Sequence, residues 1–425
     1  MPRVSGPVAR IVEALVPARL GRSFRWLLAA SIVTNIGDGI AIAAGPLLVA
    51  SQTRDPFLVS LALLAEYLPH LLFGLFAGVA ADRHDRRRIV AGVNLFRALV
   101  LVVLTAMILS SVVTIAVVLI ILFVLGTAET FADAASSTLI PSLVARPDLG
   151  VANARQQGAV LLLNQLVTPP IGAFLFAIGM ALPFGVNAVG FGLGAVLVSR
   201  VVASARPAQQ GPSHLRREIA EGIRWLVHHP PMRTLALTIV LFNVTYGAAW
   251  SVLVLYAGER LGMNEVGFGL MTAAIAVGGV LGTVAYGALE RRFSLARLMR
   301  AGLLIETVTH LVLALTTSAP VALVTLVVFG AHAFVWGTIS TVVRQRAVPD
   351  GLMGRVGSVY RIAIMGGIVI GTPIGGLLAR QLGITAPFWF GFFGSALLVA
   401  ILWRQFANIV VAGDRDPASS PAPSE

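Results

Sequence analysis

Several ionisable side chains lie deep inside long apolar stretches of this sequence, where an unpaired charge is costly. They are Asp38, Glu66, Arg97, Glu129, Asp133, Glu306, His310 and His332. An ionised side chain at the centre of a bilayer costs about 2.5–3.5 kcal/mol on insertion scales, so each of these residues needs a partner or a function. Carboxyl groups in such surroundings can bind and release protons, because a low dielectric disfavours their ionised form.

Three of the carboxyl groups are candidates for proton coupling, namely Asp38, Glu66 and Glu129. Asp38 lies about 12 residues, or ~18 Å, from the inner end of its predicted helix. Glu66 lies about nine residues, or ~14 Å, from the outer end of the next predicted helix. We therefore expect both near mid-membrane as neighbours, where one carboxylate disfavours ionisation of the other. The alternative that these acids are paired and structural stays open.

The remaining charges in the apolar stretches are predicted to be structural. Arg97 can balance an acid from a neighbouring helix. Asp133 lies one helical turn from Glu129 on the same face. This position fits a salt bridge with a loop arginine as well as it fits proton coupling. Glu306 and His310 are four residues apart, which predicts a paired contact on one helix.

The elements that must position these residues are transmembrane helices. Hydrophobic residues make up 57% and charged residues 12% of the chain, against about 45–50% and 25% in soluble domains. Mean hydropathy is +0.88, and about 20 apolar residues cross a ~30 Å hydrocarbon core. The expected fold class is an all-α membrane protein with twelve transmembrane helices in two six-helix repeats. The predicted spans are 26–50, 57–81, 89–110, 113–137, 156–179, 182–202, 233–257, 266–289, 298–317, 320–344, 357–379 and 384–404.

Arginine placement predicts how these spans are oriented. An even number of spans puts both termini on one side, and most arginines lie in the loops of that side. The opposite loops hold Arg54, Arg260 and Arg380. Because basic residues are retained in cytoplasmic loops, both termini are expected in the cytoplasm.

The chain divides into five predicted segments. They are a cytoplasmic N-terminal segment (1–25), a six-helix bundle (26–202), a cytoplasmic linker (203–232), a second six-helix bundle (233–405) and a disordered cytoplasmic tail (406–425). In the linker, Leu215, Ile219, Ile223 and Leu226 share one helical face. We therefore expect an amphipathic helix along the inner membrane surface.

The two predicted bundles share a weak repeat. Thr168-Pro169-Pro170-Ile171-Gly172-Ala173 in the fifth span corresponds to Gly371-Thr372-Pro373-Ile374-Gly375-Gly376 in the eleventh. Small residues let helix backbones approach closely, and proline frees a carbonyl group. Such a stretch predicts close helix packing and a bend.

The turn between the second and third spans carries the most distinctive motif. Residues 78–88 read Gly-Val-Ala-Ala-Asp-Arg-His-Asp-Arg-Arg-Arg, with Asp82 four residues after a glycine that we expect to end the helix. This turn resembles the cytoplasmic loop signature of the major facilitator superfamily, G-x-L-A-D-R-x-G-R-R/K. The resemblance implies a cytoplasmic gate in which Asp82 faces the positive N-terminal end of the eleventh span. The implied gate residues are Gly78, Asp82, Arg83, Arg86 and Arg87.

Further motifs resemble those of the bacterial group that contains macrolide-efflux and enterobactin-exporter-like proteins. They are Asn35 to Gly39, Asp82 to Arg88, and Val348 to Arg361. The resemblance implies a secondary transporter of the bacterial plasma or inner membrane that exports hydrophobic drugs or siderophore-like metabolites by proton antiport and alternating access. An importer or facilitator of a small solute on the same fold remains an alternative, and a membrane-embedded enzyme or lipid flippase is a further one.

In this fold, by resemblance, the middles of spans 1, 4, 7 and 10 line the substrate path. The corresponding cavity candidates are Asn35, Phe131, Asn243, Tyr246, His332 and Trp336. Aromatic rings with a few polar groups suit a large amphipathic solute. For the aromatic residues, packing or anchoring at the membrane interface is the alternative.

The sequence offers no signature of other chemistry. It contains no cysteine and no H-E-x-x-H, G-x-S-x-G or P-loop motif, so we expect no enzyme, no cofactor and no metal site. The expected partners are the lipid bilayer, a small-molecule substrate and protons. Nucleic acid is not expected, and the chain is predicted to be a monomer.

Replacing Asp82 with asparagine tests the implied gate. Asp82→Asn removes the charge that would hold the inner side of the protein closed, so transport should fall while expression and substrate binding stay largely intact. Transport into inverted vesicles measures this. Wild-type transport rates in the variant would remove the gate role from Asp82.

Overall fold

The computed structural model describes residues 17–202, 215–403 and 405, which form helices and turns without a strand. Within these residues, eleven helices are long and apolar enough to cross a membrane, and Ala386–Leu402 is an apolar helix of 17 residues. At 1.5 Å per residue this last helix is about 26 Å long, close to the thickness of the hydrocarbon core. The predicted all-α membrane fold is confirmed.

The helices are numbered α1 to α14 in chain order. They are α1 (Gly21–Gln52), α2 (Pro56–Arg83), α3 (Arg86–Leu109), α4 (Ile115–Leu143), α5, α6 (Leu182–Ser199), α7 (Leu215–His228), α8 (Pro230–Trp250), α9 (Leu253–Glu259), α10 (Glu265–Arg292), α11 (Leu295–Leu315), α12 (Ala319–Ala347), α13 (Met353–Leu382) and α14 (Ala386–Leu402). The fifth, α5, is α-helical over Leu149–Ala159, π-helical over Val160–Val167 and α-helical again over Thr168–Ile178.

Two predicted helix ends are wrong. Gly78 does not end the second span, because α2 continues to Arg83. Continuing the helix keeps the backbone hydrogen bonds satisfied, and that requirement outweighs the low helix propensity of glycine. The predicted seventh span (233–257) is interrupted after Trp250. At the break, the Ser251 hydroxyl donates to the carbonyl oxygens of Ala248 (3.0 Å) and Thr372 (3.3 Å).

The described residues divide into two compact units. The first unit contains the described residues up to Gln52 and those from Leu68 to residue 202. The second unit contains Thr53–Tyr67 and the described residues from Leu215 onward. Helix α2 therefore contributes to both units. The bounds of the five predicted segments stay a prediction, and the tail at 406–425 lies outside the described residues.

Each unit contains a pair of helices whose backbones touch at the repeated glycine. In the first unit, a methyl group on Gly172 of α5 would lie 2.8 Å from the Cα of Ile40 in α1. In the second unit, a methyl group on Gly375 of α13 would lie 2.6 Å from the Cα of Ala248 in α8. Gly172 and Gly375 occupy the same place in the two repeated motifs. The predicted close packing is therefore present in both units.

Helix α7 packs on α13 and α8 in the second unit. Oε2 of Glu221 lies 2.7 Å from Nη1 of Arg355, and Gly222 rests against the Arg355 backbone. Leu226 is buried in the core, whereas Ile223 is 47% exposed. The predicted apolar face is thus divided, because Leu226 packs against protein while Ile223 points outward. The side chain of Leu215 lies outside the described residues.

A glycine-to-alanine pair on α13 tests the close packing of the second unit. Gly375→Ala should destabilise the protein by roughly 1–3 kcal/mol, because the added methyl group meets the fixed backbone of α8. The matched control is Gly366→Ala, where an added Cβ meets open space; here we expect no loss, or a gain of up to ~1 kcal/mol from helix propensity. Thermal unfolding in detergent measures both. Equal stability of the two variants would contradict the packing argument.

Candidate functional site

A buried arginine on α3 joins carboxylates from two neighbouring helices of the first unit. Arg97 is 5% exposed. Its Nη2 donates a hydrogen bond to Oδ1 of Asp38 on α1 and lies 3.5 Å from Oε2 of Glu129 on α4. The centre of the guanidinium group also stacks on the ring of Phe191 from α6, 3.8 Å from its centroid. The cation is therefore held by two charges and one aromatic face.

The glycines on either side of Asp38 explain how it reaches this position. A Cβ on Gly37 would overlap the side-chain amide of Asn187 on α6. A Cβ on Gly39 would overlap Asn164 and Thr168 on α5. Helix α1 can therefore approach α5 and α6 on both sides of the acid. The Asn35-Ile36-Gly37-Asp38-Gly39 motif thus inserts one carboxylate between three closely packed helices.

The cluster opens onto a cavity of about 160 Å³ in the first unit. Asp38, Arg97, Glu129 and Asp133 line it, together with the polar residues Ser31, Thr34, Asn35, Asn94, Ser136, Gln156 and Asn164. The Gln156 amide donates to Oγ of Ser31 (2.6 Å), and the Asn35 amide donates to the Ser31 carbonyl oxygen (2.8 Å). Oε1 of Gln156 is buried and has no hydrogen-bond partner in the described structure. At about 30 Å³ per water, this volume holds several water molecules or part of a solute.

Acids outnumber bases around this cavity. Asp133 acts electrostatically on Arg97, and His70 of α2 acts on Glu129 and Asp133. If Asp38, Glu129 and Asp133 are all ionised, one guanidinium faces three carboxylates. An excess of buried negative charge is costly. The cluster is therefore suited to take up a proton or a cationic group.

The structure places Glu129, another of the predicted coupling acids, beside Asp38, and the proximity of Glu66 to Asp38 stays a prediction. Glu129 shares Arg97 with Asp38, whereas Glu66 belongs to the second unit and acts electrostatically on Tyr246. The depth estimates for Asp38 and Glu66 concerned position along a helix and carried no information about which helices are neighbours. Arg97 and Asp133, which were predicted to be structural charges, lie in the same cluster as Asp38 and Glu129.

The remaining cavity candidates lie in different surroundings. Asn35 lines the cavity of the first unit, and Phe131 is half-buried on α4 outside its lining. Tyr246 stacks on Trp250 with ring centroids 4.6 Å apart, and the Asn243 amide donates to the Ile239 carbonyl (2.7 Å). Trp336 is 6% exposed in the apolar core of the second unit. His332 is equally buried, and its Nε2 lies 3.0 Å from Oε2 of Glu306.

The loop between α2 and α3 is fixed by its arginines. Arg86 contacts Asp82 (3.5 Å) and donates to the carbonyl oxygens of Ala81 (3.1 Å) and Thr138 (3.2 Å). Arg87 donates to the Val201 carbonyl oxygen (3.0 Å). Gly78 lies inside α2, and Arg83 is exposed at its last residue. Within the first unit, the loop is therefore tied to α4 and to the end of α6.

Some residues of the cluster were missed by sequence reasoning. Gln156 and Asn164 are polar residues in an apolar span, and this could have singled them out as cavity residues. Ser31 is too small and common in membrane helices to give such a signal. Phe191 gives none, since one phenylalanine in an apolar helix looks like any other.

Comparison with known proteins identifies related chains over nearly the whole length. The multidrug efflux pump Tap of Mycolicibacterium fortuitum is 29% identical over 409 residues, covering 93% of this chain and 97% of Tap. Macrolide efflux protein A of Streptococcus pyogenes is 23% identical, covering 91% of this chain and 96% of that protein. The enterobactin exporter of Shigella boydii is 25% identical, covering 92% and 96% respectively.

A solved structure supports the fold. The bacterial homologue of the iron transporter ferroportin in an inward-facing state matches with a TM-score of 0.72 at 19% identity, covering 92% of this chain and 98% of that one. Residues 13–423 match the family model described as transmembrane secretion effector. The predicted resemblance is thus confirmed, and the family is one of transporters rather than enzymes. The chain belongs to the transmembrane secretion effector family of the major facilitator superfamily and is a multi-pass membrane transporter.

Proposed function

We propose that this transporter exports hydrophobic drugs or siderophore-like metabolites across the bacterial inner membrane, driven by proton entry. Three similar proteins that match over nearly their whole length are a multidrug efflux pump, a macrolide efflux protein and an enterobactin exporter. The observation that carries the coupling mechanism is the Asp38–Arg97–Glu129 cluster in the cavity of the first unit.

Proton binding at Asp38 changes the balance of this cluster. With Asp38 ionised, Arg97 is shared between two carboxylates. A proton on Asp38 removes its charge, and Arg97 then pairs with Glu129 alone. The cavity loses negative charge in the same step, so a proton and a cationic solute compete for one site. Such competition is the basis of antiport, because release of one species accompanies binding of the other.

Alternating access requires that proton binding at this cluster biases one conformation over the other. A ligand shifts such an equilibrium only by its difference in affinity for the two states. Arg97 contacts groups on α1, α4 and α6, so a change in its pairing acts on the packing of four helices at once. In this proposal the Asp82 loop is the cytoplasmic gate, both termini are cytoplasmic, and the chain works as a monomer.

The aromatic residues of the second unit suit the solute class. Tyr246 and Trp250 stack with ring centroids 4.6 Å apart, and the buried Phe329 packs against Trp250 at 4.5 Å. Flat aromatic faces bind large apolar or cationic molecules without demanding one hydrogen-bond pattern. An importer or facilitator on the same fold is the alternative candidate; its transport would not depend on a carboxylate that exchanges a proton for solute.

Replacing Asp38 with asparagine separates coupling from transport. Asp38→Asn keeps the size of the side chain but cannot lose a proton, so export driven by a pH gradient should be abolished while downhill exchange persists. Substrate flux in inverted vesicles, with and without an imposed pH gradient, measures both activities. Glu259→Gln is the matched control, because Glu259 is an exposed acid outside the cluster.

The same assay discriminates among the acids. If Asp38→Asn and Glu66→Gln both pump normally against a gradient, neither of these acids is required for coupling and Glu129 becomes the leading candidate. If export by the wild type is indifferent to the pH gradient, the importer or facilitator alternative is favoured.

A further inference from the structure

The second unit contains a buried carboxylate held between two histidines. Glu306 and His310 lie one turn apart on α11, and His332 lies on α12. Nε2 of His310 is 3.1 Å from Oε1 of Glu306, and Nε2 of His332 is 3.0 Å from Oε2. The three side chains are 0–3% exposed. We call these three residues the histidine–glutamate triad.

Aromatic rings and glycines enclose the triad. The ring centroid of Trp250 lies 6.0 Å from that of His310, and Phe329 and Phe242 lie 5.5 and 5.9 Å from His332. A methyl group on Gly391 of α14 would lie 2.5 Å from Nδ1 of His310, and one on Gly302 would lie 3.3 Å from Nδ1 of His332. Two glycines therefore make the space that the imidazoles fill.

Each imidazole has one nitrogen engaged and one without a partner. Nε2 of both rings faces Glu306, whereas neither Nδ1 atom has a hydrogen-bond partner in the described structure. If both Nε2 atoms carry hydrogen and donate to an ionised Glu306, both Nδ1 atoms present lone pairs in a buried site. A lone pair on an imidazole nitrogen is the atom to which a proton binds.

The charge of the triad favours one additional proton. An ionised Glu306 between two neutral imidazoles is a buried charge of −1, which is costly in a low dielectric. One proton on either Nδ1 gives an imidazolium–carboxylate pair with no net charge. On His332 the resulting cation would have the Phe329 and Phe242 rings within about 6 Å, and on His310 it would have the Trp250 ring at 6.0 Å. Contact with an aromatic ring stabilises a cation.

The elements packed on α11 supply few other ionisable groups to the described surroundings. From α8, Tyr246 interacts electrostatically with Glu306 and also with Glu66 of α2. Helix α14 carries no ionisable residue between Ala386 and Leu402. The ionisable residues of α10 are confined to its two ends, at Glu265 and from Tyr286 onward. No group of three or more His, Asp or Glu side chains within the described residues is arranged to hold a metal ion.

We propose that the histidine–glutamate triad is a proton-binding site of the second unit, in which one extra proton binds Nδ1 of either His310 or His332 and the ionised Glu306 balances its charge. The proton is taken from water onto one Nδ1 and returns to water on release, with no other bond made or broken. The site is separate from the Asp38 cluster of the first unit. Proton binding stands on the geometry of the triad, whereas its use in a transport cycle rests on the proposed function.

Histidine-selective ¹⁵N NMR of the full chain in nanodiscs tests the proposal with the proton as the ligand. Loss of a signal in His310→Asn or His332→Asn assigns the two buried rings among the seven histidines. At neutral pH in the wild type, we expect one extra proton over the two rings. In Glu306→Gln the imidazolium signal should be lost, because the charge that balances it is gone.

Two outcomes would overturn the proposal: two neutral rings in the wild type from pH 5 to pH 9, or an imidazolium that persists in a folded Glu306→Gln. The wild-type titration alone decides the first, so a variant that fails to fold does not block the test. The measurement uses neither substrate nor a pH gradient. Failure of the Asp38→Asn transport prediction would therefore leave this result unchanged, and the reverse also holds.

Discussion

Charge buried in a low-dielectric interior must be paired, and this requirement organises both units. In the first unit, one guanidinium joins Asp38 and Glu129 and rests on Phe191. In the second, two imidazoles take the two oxygens of Glu306. Both clusters depend on glycines that leave room for neighbouring groups, at Gly37 and Gly39 in one and at Gly302 and Gly391 in the other. The glycines that appear scattered through the apolar spans thus decide where a charge can be held.

The fold class could be predicted because membrane helices have a simple sequence pattern. Runs of apolar residues and the one-sided distribution of arginine predict membrane helices without knowledge of their neighbours. The repeated proline–glycine motif also indicated its role, since Gly172 and Gly375 both meet the backbone of a partner helix. Helix ends were less predictable. The low helix propensity of Gly78 indicated a helix end at that residue, but the α-helix continues through it to Arg83.

The grouping of the charges could not be predicted in the same way. Position along a helix gives depth in the membrane, whereas pairing depends on rotation and packing of helices that are distant in sequence. The expected depth of Asp38 stays a prediction, and the acid that shares its arginine is Glu129 rather than Glu66. The spacing of four residues predicted the contact between Glu306 and His310, and the structure contains it. His332 joins them across 26 positions, and no local pattern records that contact.

The π-helical stretch of α5 gives this helix a mechanical property that a uniform helix lacks. Thr168 donates to the Leu163 carbonyl oxygen (2.6 Å) at its end, and Pro169 and Pro170 have no N–H groups with which to close a regular turn. A π turn holds a surplus residue, and each residue corresponds to about 100° of rotation in an α-helix. Rewinding Val160–Val167 into a regular α-helix would therefore rotate the two ends of α5 relative to each other about the helix axis. The stretch that would rewind contains the cavity residue Asn164, and it lies next to the close contact of Gly172 with Ile40.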